Sequence, residues 1–304
     1  MLSRDAERYV QLRRTLGFKF RTPAMLLRSF AAFAEAHGDD IVRSCRVVDW
    51  AACAPSQHQR RNRLLTVRRF ALAMQAEDPR HEVPAADALG RGRYQRRRPH
   101  IYTDEDIARL MSAASRLKPA SSFRPLMYTT LIGLLAATGM RISEALSMQV
   151  KDVTDDGLLI LQTKFRKSRM LPIHDSTWAA LGSYLSVRLR RGDPAGALFP
   201  TEDGRSLPYS TVNRVFLQLA RECGLRGSPG LPGPRMHDLR HTFAVRCLEK
   251  SPPDRDGITS QIVALSTYLG HTHATDTYWY LQATPILMDR IAEAGEALHG
   301  VGEP

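Results

Sequence analysis

The stretch from Pro79 to Pro99 constrains this chain more than any other. Prolines at 79, 84 and 99 and glycines at 90 and 92 suppress helix, and Arg91, Arg93, Arg96, Arg97 and Arg98 crowd its second half. Proline lacks the N–H donor and glycine costs backbone entropy, so a regular helix does not run through such a segment. Helical patterns lie on both sides of it. A chain of 304 residues is also long enough for two domains at about 100–200 residues each. The division expected is one domain over residues 1–95 and a second over 96–304. The basic stretch joins them as an extended linker, either a loose connector or a strap along phosphates.

Charge is distributed unevenly about that break. The net charge of +12 comes from 43 basic and 31 acidic side chains. Residues 1–100 hold 20 basic and 10 acidic ones, and the remainder 23 and 21. A concentrated positive field implies a polyanion partner: DNA, RNA or a membrane surface. Composition narrows the class further. With 43% apolar and 24% charged residues the chain is globular. Cys45, Cys53, Cys223 and Cys247 form no CxxC pair, which argues against a disulfide scaffold or a cysteine zinc ribbon. The longest apolar run, Leu126 to Ala137, is interrupted by Tyr128, Thr129 and Thr130. It falls short of the roughly 20 residues that a spanning helix needs, so a core helix is expected and no membrane partner. The start Met1-Leu2-Ser3-Arg4-Asp5 has no apolar signal core, and the expected location is cytoplasmic.

Local patterns predict a mostly helical chain. Thr22-Pro23 reads as an N-cap and first helical residue, followed by Leu26, Phe30, Phe33 and His37 at helical spacing. A second long helix is expected from about Pro55 to Asp78. Its Arg60, Arg61, Arg63, Arg68 and Arg69 do not sort onto one face, so part of it faces a partner and part faces solvent. Thr103 and Asp106 are placed for a capping box, with Tyr102 and Ile107 as a hydrophobic staple. A buried helix over 125–137 ends at Thr138-Gly139, and another starts near Arg141. Leu158–Thr163 and Arg169–Ile173 flank the polar stretch Lys164–Ser168, the pattern of a hairpin. The fold class expected is mostly α, with a small antiparallel β-sheet in the second domain.

Several short sites in that domain carry chemistry. Arg141 stands at a helix start, where a cation opposes the dipole. It either pairs with Glu144 or joins the helix end in facing an anion. Only six of the 43 basic residues are lysines. Lys164 is either a surface residue, like Lys19 and Lys167, or a kept proton donor, a role arginine cannot fill. His237 and Arg240 share a helix face, His271 follows Leu269-Gly270, and Tyr280 lies nine residues further on. His237 with His241, and His271 with His273, are spaced as zinc ligands can be, but no Glu stands between the first pair as the metalloprotease helix requires.

Taken in order, Arg141, Lys164, His237-x-x-Arg240, His271 and Tyr280 resemble the catalytic set of the tyrosine recombinase, or phage integrase, family. The strings T-G-M-R-I-S-E-A-L, R-M-L-P, H-D-L-R-H-T-F-A and L-G-H match as well. By motif the resemblance covers about residues 101–290. Residues 1–98 are similar only in size, basicity and helical character. The stretch containing Ser251-Pro252-Pro253-Asp254 is several residues longer than the family's, as a surface loop would be.

The resemblance implies a site-specific recombinase that cuts and rejoins DNA through a 3′-phosphotyrosyl intermediate, with no metal, ATP or other cofactor. Arg141 and Arg240 would clamp the non-bridging oxygens and His271 would add a donor. Tyr280 would attack, with Tyr278 as rival nucleophile. Lys164 would protonate the leaving oxygen, and His237 would assist proton transfer. The resemblance also implies a C-shaped two-domain clamp on double-stranded DNA within the nucleoid. A homotetramer would form on paired sites, with a monomer in isolation. Arg60, Arg61, Arg63, Arg68, Arg69, Arg96, Arg97 and Arg98 are the candidate DNA-binding cations. A last helical segment from Thr284-Pro285, with Leu287, Ile291 and Leu298, would dock on a neighbour or on its own core. The competing functions are a type IB topoisomerase-like relaxing enzyme, a DNA-binding protein without catalysis, and a metal-dependent nuclease.

Overall fold

The computed structural model describes residues 1–90, 97–161, 168–250 and 255–271, together with Thr277, Tyr280 and Asp289; of Arg255, Asp256 and Ile258 it describes the backbone alone. Lys164, Lys167, Arg91, Arg93, Arg96, His273, Tyr278, residues 251–254 and the segment with Leu287, Ile291 and Leu298 lie outside the described residues. The chain divides into two compact units, Met1–Arg97 and Arg98–Pro304.

Among its described residues the first unit has four helices: α1 Leu2–Thr15, α2 Arg21–Ala36, α3 Ser44–Ala52 and α4 Gln57–Gln75. Their apolar faces meet in a core that includes Leu2, Val10, Leu27, Phe30, Trp50, Leu64 and Phe70. Helix α2 starts at Arg21 after Phe20, whose φ is 42°. Thr22 is therefore not the cap the sequence suggests, and Pro23 sits in the first turn, where its missing N–H has no helical partner to lose. Helix α4 is capped by Ser56, whose hydroxyl accepts from the Gln59 N–H at 3.3 Å.

Residues 81–89 of the expected linker belong to the first unit instead. The Glu82 N–H donates to the Val42 carbonyl at 2.8 Å, and the Val42 N–H donates to His81 Nδ1 at 3.0 Å. Gln75 donates to the His81 carbonyl at 3.0 Å, and Val83 and Leu89 pack against the helical core. Proline and glycine prevent regular structure here, but they do not prevent burial. Three of the candidate DNA-binding arginines serve the same unit. Arg60 donates to the Ala54 carbonyl at 2.8 Å and Arg68 to the Pro84 carbonyl. Arg63 donates to the Trp50 carbonyl at 3.0 Å and lies 4.9 Å above the Trp50 ring. Arg61, Arg69, Arg97 and Arg98 are exposed.

The second unit contains α5 Asp104–Ser115, α6 Arg124–Thr138, α7 Ile142–Ser147, α8 Asp175–Arg188, α9 Tyr209–Glu222, α10 His237–Glu249 and α11 Arg255–Leu269. Between α7 and α8 lies a three-stranded antiparallel sheet in the order β1-β2-β3. Its strands are β1 Val153–Thr154, β2 Gly157–Ile160 and β3 Arg169–Leu171. Leu158 stands opposite Leu171, and Ile160 opposite Arg169. Strand β1 is two residues long, too short to show alternation in sequence.

The main core gathers Leu131, Leu135, Met140, Leu158, Leu171, Tyr184 and Phe216 among others. A smaller cluster joins Ala244, Val245 and Leu248 to Ile262, Leu265, Leu269 and Tyr280. The Thr103–Asp106 capping box forms as the sequence predicts. Tyr102 does more than staple its own helix. Its N–H donates to Thr242 Oγ1 at 2.9 Å and its hydroxyl to the Arg235 carbonyl at 3.0 Å, which ties the start of α5 to α10. Among the described residues, no helix is long and apolar enough to cross a membrane.

Candidate active site

The ends of α6 and α11, the starts of α7 and α10, and strand β3 make the site. Helix α6 terminates at Gly139, in the left-handed region at φ 60°. A Cβ at Gly139 would stand 2.4 Å from Cδ1 of Phe243 on α10. Glycine there satisfies both the backbone turn and the close approach of α10. The chain then turns through buried Met140 to Arg141, the residue preceding α7. Helix α11 ends similarly at Gly270, φ 66°. The His271 N–H returns to the Ser266 carbonyl at 2.9 Å, the six-to-one bond of a Schellman turn. The local L-G-H string thus fixes the direction in which His271 leaves the helix.

Three guanidiniums converge on the carbonyl end of α11. Arg240 donates to the Leu269 carbonyl at 2.9 Å and to the Gly139 carbonyl at 2.9 Å, joining both helix ends. Arg169 donates to the Tyr268 carbonyl at 2.8 Å. Arg141 reaches the Leu269 and Gly270 carbonyls at 3.4 Å each, near the limit of a hydrogen bond. A helix C-terminus carries partial negative charge and favours cations.

The carboxylate in this cluster is Glu144, 6% exposed, paired with Arg141 at 2.9 Å and with Arg169 at 2.8 Å. Burial alone would raise its pKa, but hydrogen bonds from Arg169 and Arg141 outweigh it and hold the carboxyl below its ordinary value. Among the described residues, three guanidiniums against one carboxylate leave two positive charges in excess. Such a pocket suits an anion that gains charge as it reacts. Arg141, with 28% of its side chain exposed and the longest carbonyl contacts, is the guanidinium most readily exchanged onto a phosphate oxygen.

A row of rings completes the site. His271 Nε2 lies 3.0 Å from Arg240 Nη2, and its Nδ1 lies 2.8 Å from Thr277 Oγ1. The Tyr280 ring, 3% exposed, stacks on His271 with centroids 5.9 Å apart and meets His241 edge-on at 5.2 Å. His241 in turn meets His237 edge-on at 4.9 Å. Burial, with His237 beside it, lowers the His241 pKa to about 4. The protein bulk around His237, then the charges of Arg240 and Arg235, lower its pKa too. Both rings are therefore neutral at pH 7. Burial also lowers the Arg240 pKa, and the neighbouring Tyr280 hydroxyl counters this; guanidinium remains cationic throughout.

Arg141, His237, Arg240, His271 and Tyr280 are thus brought together, from segments up to 139 residues apart. Among the described residues, no group of three or more His, Cys, Asp or Glu side chains is placed to hold a metal. Four further residues take part, His241 among them. Glu144 follows Arg141 by three, a spacing the sequence displays. Thr277 and Arg169 gave no signal of their own, since an arginine in a short strand reads as an edge residue.

The chain is similar to known proteins over most of its length. The phage integrase family model matches residues 101–285. A Sinorhizobium fredii protein named as an integrase/recombinase, y4rB, is 39% identical over 93% of each chain. A Rhizobium meliloti protein named tyrosine recombinase XerD is 28% identical, over 78% of this chain and 73% of its own. The fold is shared with two solved structures of lower identity. One is XerH site-specific recombinase bound to palindromic difH substrate (TM-score 0.66, 19% identity, 97% of this chain and 85% of that one). The other is the Tn1549 transposon integrase in complex with a circular intermediate DNA (TM-score 0.67, 17% identity, 96% and 99%).

Proposed function

The chain belongs to the phage integrase family and is a tyrosine recombinase, and we propose that it exchanges DNA strands at specific sites with Tyr280 as nucleophile. The observation that carries this reading is the pocket itself. The Tyr280 ring lies on His271 beside Arg240, where three guanidiniums face one carboxylate. In the step proposed, the Tyr280 oxygen attacks the scissile phosphorus. A P–O bond to tyrosine forms as the P–O bond to the 5′ carbon's oxygen breaks. Arg141 and Arg240 hold the non-bridging oxygens, and His271 donates a further hydrogen bond. Lys164, by the resemblance, gives its proton to the leaving oxygen. Neutral His237 assists transfer of the tyrosine proton. The phosphotyrosine conserves the bond energy, so a second strand's 5′ hydroxyl rejoins the DNA by the reverse step.

The partner is double-stranded DNA, and relatives of this fold are solved as dimers and tetramers on DNA. For this chain we infer a homotetramer on paired sites, at the nucleoid. The exposed Arg61, Arg69, Arg97 and Arg98 supply backbone contacts in this reading, with Arg96 beside them in sequence.

The test is a nicked substrate that traps the covalent complex, read on a denaturing gel. Tyr280→Phe should bind DNA as the unaltered chain does and form no adduct, while Tyr278→Phe should still form one. An adduct that persists in Tyr280→Phe and disappears in Tyr278→Phe would move the nucleophile. Relaxation of supercoiled DNA that needs no particular site would favour the topoisomerase-like alternative.

A further inference from the structure

We propose that Arg169 is a positioning residue of the reaction: it fixes the shared carboxylate Glu144 against the 268–270 turn and thereby sets where Arg141 stands. The inference rests on the recombinase reading above. Arg169 lies on β3, opposite Ile160, and its side chain is 13% exposed. Its fork places Nη1 at 3.1 Å from Glu144 Oε1 and Nη2 at 2.8 Å from Oε2. Its Nε is 2.8 Å from the Tyr268 carbonyl. Arg141 uses the same two oxygens: its side chain reaches Oε1 at 2.9 Å and its backbone N–H reaches Oε2 at 2.9 Å.

A carboxylate offers about four acceptor positions, and these four bonds fill them, two per oxygen. The rotation of Glu144 is therefore decided by both arginines at once. Without Arg169, half the acceptors are vacated and the carboxylate can turn, carrying the Arg141 side chain with it.

The turn is shaped for Arg169 as well. A Cβ at Gly270 would stand 2.9 Å from Arg169 Nη1 and 3.2 Å from Cζ. That guanidinium is held by its bonds to Glu144 and the Tyr268 carbonyl and cannot easily move aside. Glycine before His271 thus serves the helix end and also leaves room for Arg169. Arg169 is less exposed than Arg141, 13% against 28%, and holds its carbonyl at 2.8 Å where Arg141 holds two at 3.4 Å, so it acts on phosphate through its neighbour. Lysine cannot replace it, because a point charge on a flexible stem cannot make the two-pronged contact.

The experiment measures single-turnover adduct formation by the full chain on nicked DNA. One substrate carries an ordinary scissile phosphate; the other carries a neutral methylphosphonate, which lacks one charged oxygen and so depends less on the clamp. Arg169→Met should slow cleavage of the ordinary substrate by about 10²-fold, as a misplaced reacting group does, with DNA affinity unchanged. The deficit relative to the unaltered chain should shrink on the methylphosphonate, whereas a loosened fold would slow both substrates alike. The double variant Arg141→Ala with Arg169→Met should be no slower than Arg141→Ala alone.

Arg169→Lys keeps the charge and serves if the methionine variant does not fold; it should show the same pattern. Cleavage at the normal rate by the Arg169 variants, equal deficits on both substrates, or additive slowing in the double variant would each overturn this inference alone. Failure of the unaltered chain to form any adduct would overturn the recombinase reading, and the inference with it.

Discussion

At the scale of single residues, the site is defined by which groups are charged. Glu144 stays ionised in a buried position because two arginines fill its acceptors. His241 stays neutral because it is buried and stands beside His237. The consequence for stability follows from proton linkage. The ordinary histidine value is 6.5, and the folded chain lowers that of His241 to about 4. Between those values the unfolded chain binds a proton that the folded chain refuses. Stability should therefore fall as pH drops from about 6.5 toward 4, by at most about 1.4 kcal/mol per pH unit for this group, and the effect should level off below. Glu144, whose pKa is depressed, adds to the loss only as pH falls below its ordinary 4.5. Urea titrations from pH 7 to 4.5 would measure this slope, and His241→Gln should flatten it. An unchanged slope in that variant would mean that other groups carry the acid sensitivity.

At the scale of elements, the glycine-ended helices α6 and α11 do the positioning. Each end stops a helix, turns the chain and presents a carbonyl to a guanidinium. Gly139 allows a sharp test. Alanine there takes on the left-handed strain of about 1–2 kcal/mol, and its methyl meets Phe243 at 2.4 Å; relieving such a clash costs about 1–3 kcal/mol more. Gly139→Ala should lower the melting temperature by several degrees, at about 2–4 °C per kcal/mol for a unit of this size. It should also weaken adduct formation, since the Gly139 carbonyl holds Arg240. Phe243→Ala alone also costs stability, since its ring stacks on Tyr268, so the clash is read from the double variant, which should lose less than the sum of the two single changes. Strictly additive losses would assign the whole cost of Gly139→Ala to the backbone.

At the scale of the whole molecule, charge and chemistry are separated between two units. The first carries most of the excess positive charge, and the second contains the site. Residues 98–304 have a core of their own, so they can be tested as a fragment. That fragment should bind DNA much more weakly than the full chain. Its affinity should also depend less steeply on salt, the slope falling by about 0.9 for each phosphate that the first unit would have neutralised. Binding by both at equal affinity and with equal salt slopes would show that the first unit neutralises no phosphates. Three arginines that sequence alone groups with the DNA-binding cations, Arg60, Arg63 and Arg68, bind carbonyls of the first unit. Arg61 and Arg69 are therefore expected to contribute more to that slope.

Much of what depends on neighbours in sequence could be read from sequence, although the start of α2 at Arg21 rather than after a Thr22 cap could not. The capping box at Thr103, the helix ends at Gly139 and Gly270, the buried helix α6 and the i, i+3 relation of His237 to Arg240 all rest on backbone geometry within a few residues. The order of reactive side chains pointed to the family because the chemistry demands those groups. Other features needed the fold, because they depend on contacts between distant segments. The turn of residues 79–90 back onto the first core reads in sequence as a break, since proline and glycine report only what the backbone cannot do. Strand β1 is shorter than any period that could reveal it. The burial of Tyr280 against His241 and His271, and the grip of Arg169 on Glu144, are set by where α10, α11 and β3 pack. Local propensity carries no information about which carboxylate a distant arginine will meet; packing decides it, by bringing two cations to one buried carboxylate that neither could leave unpaired.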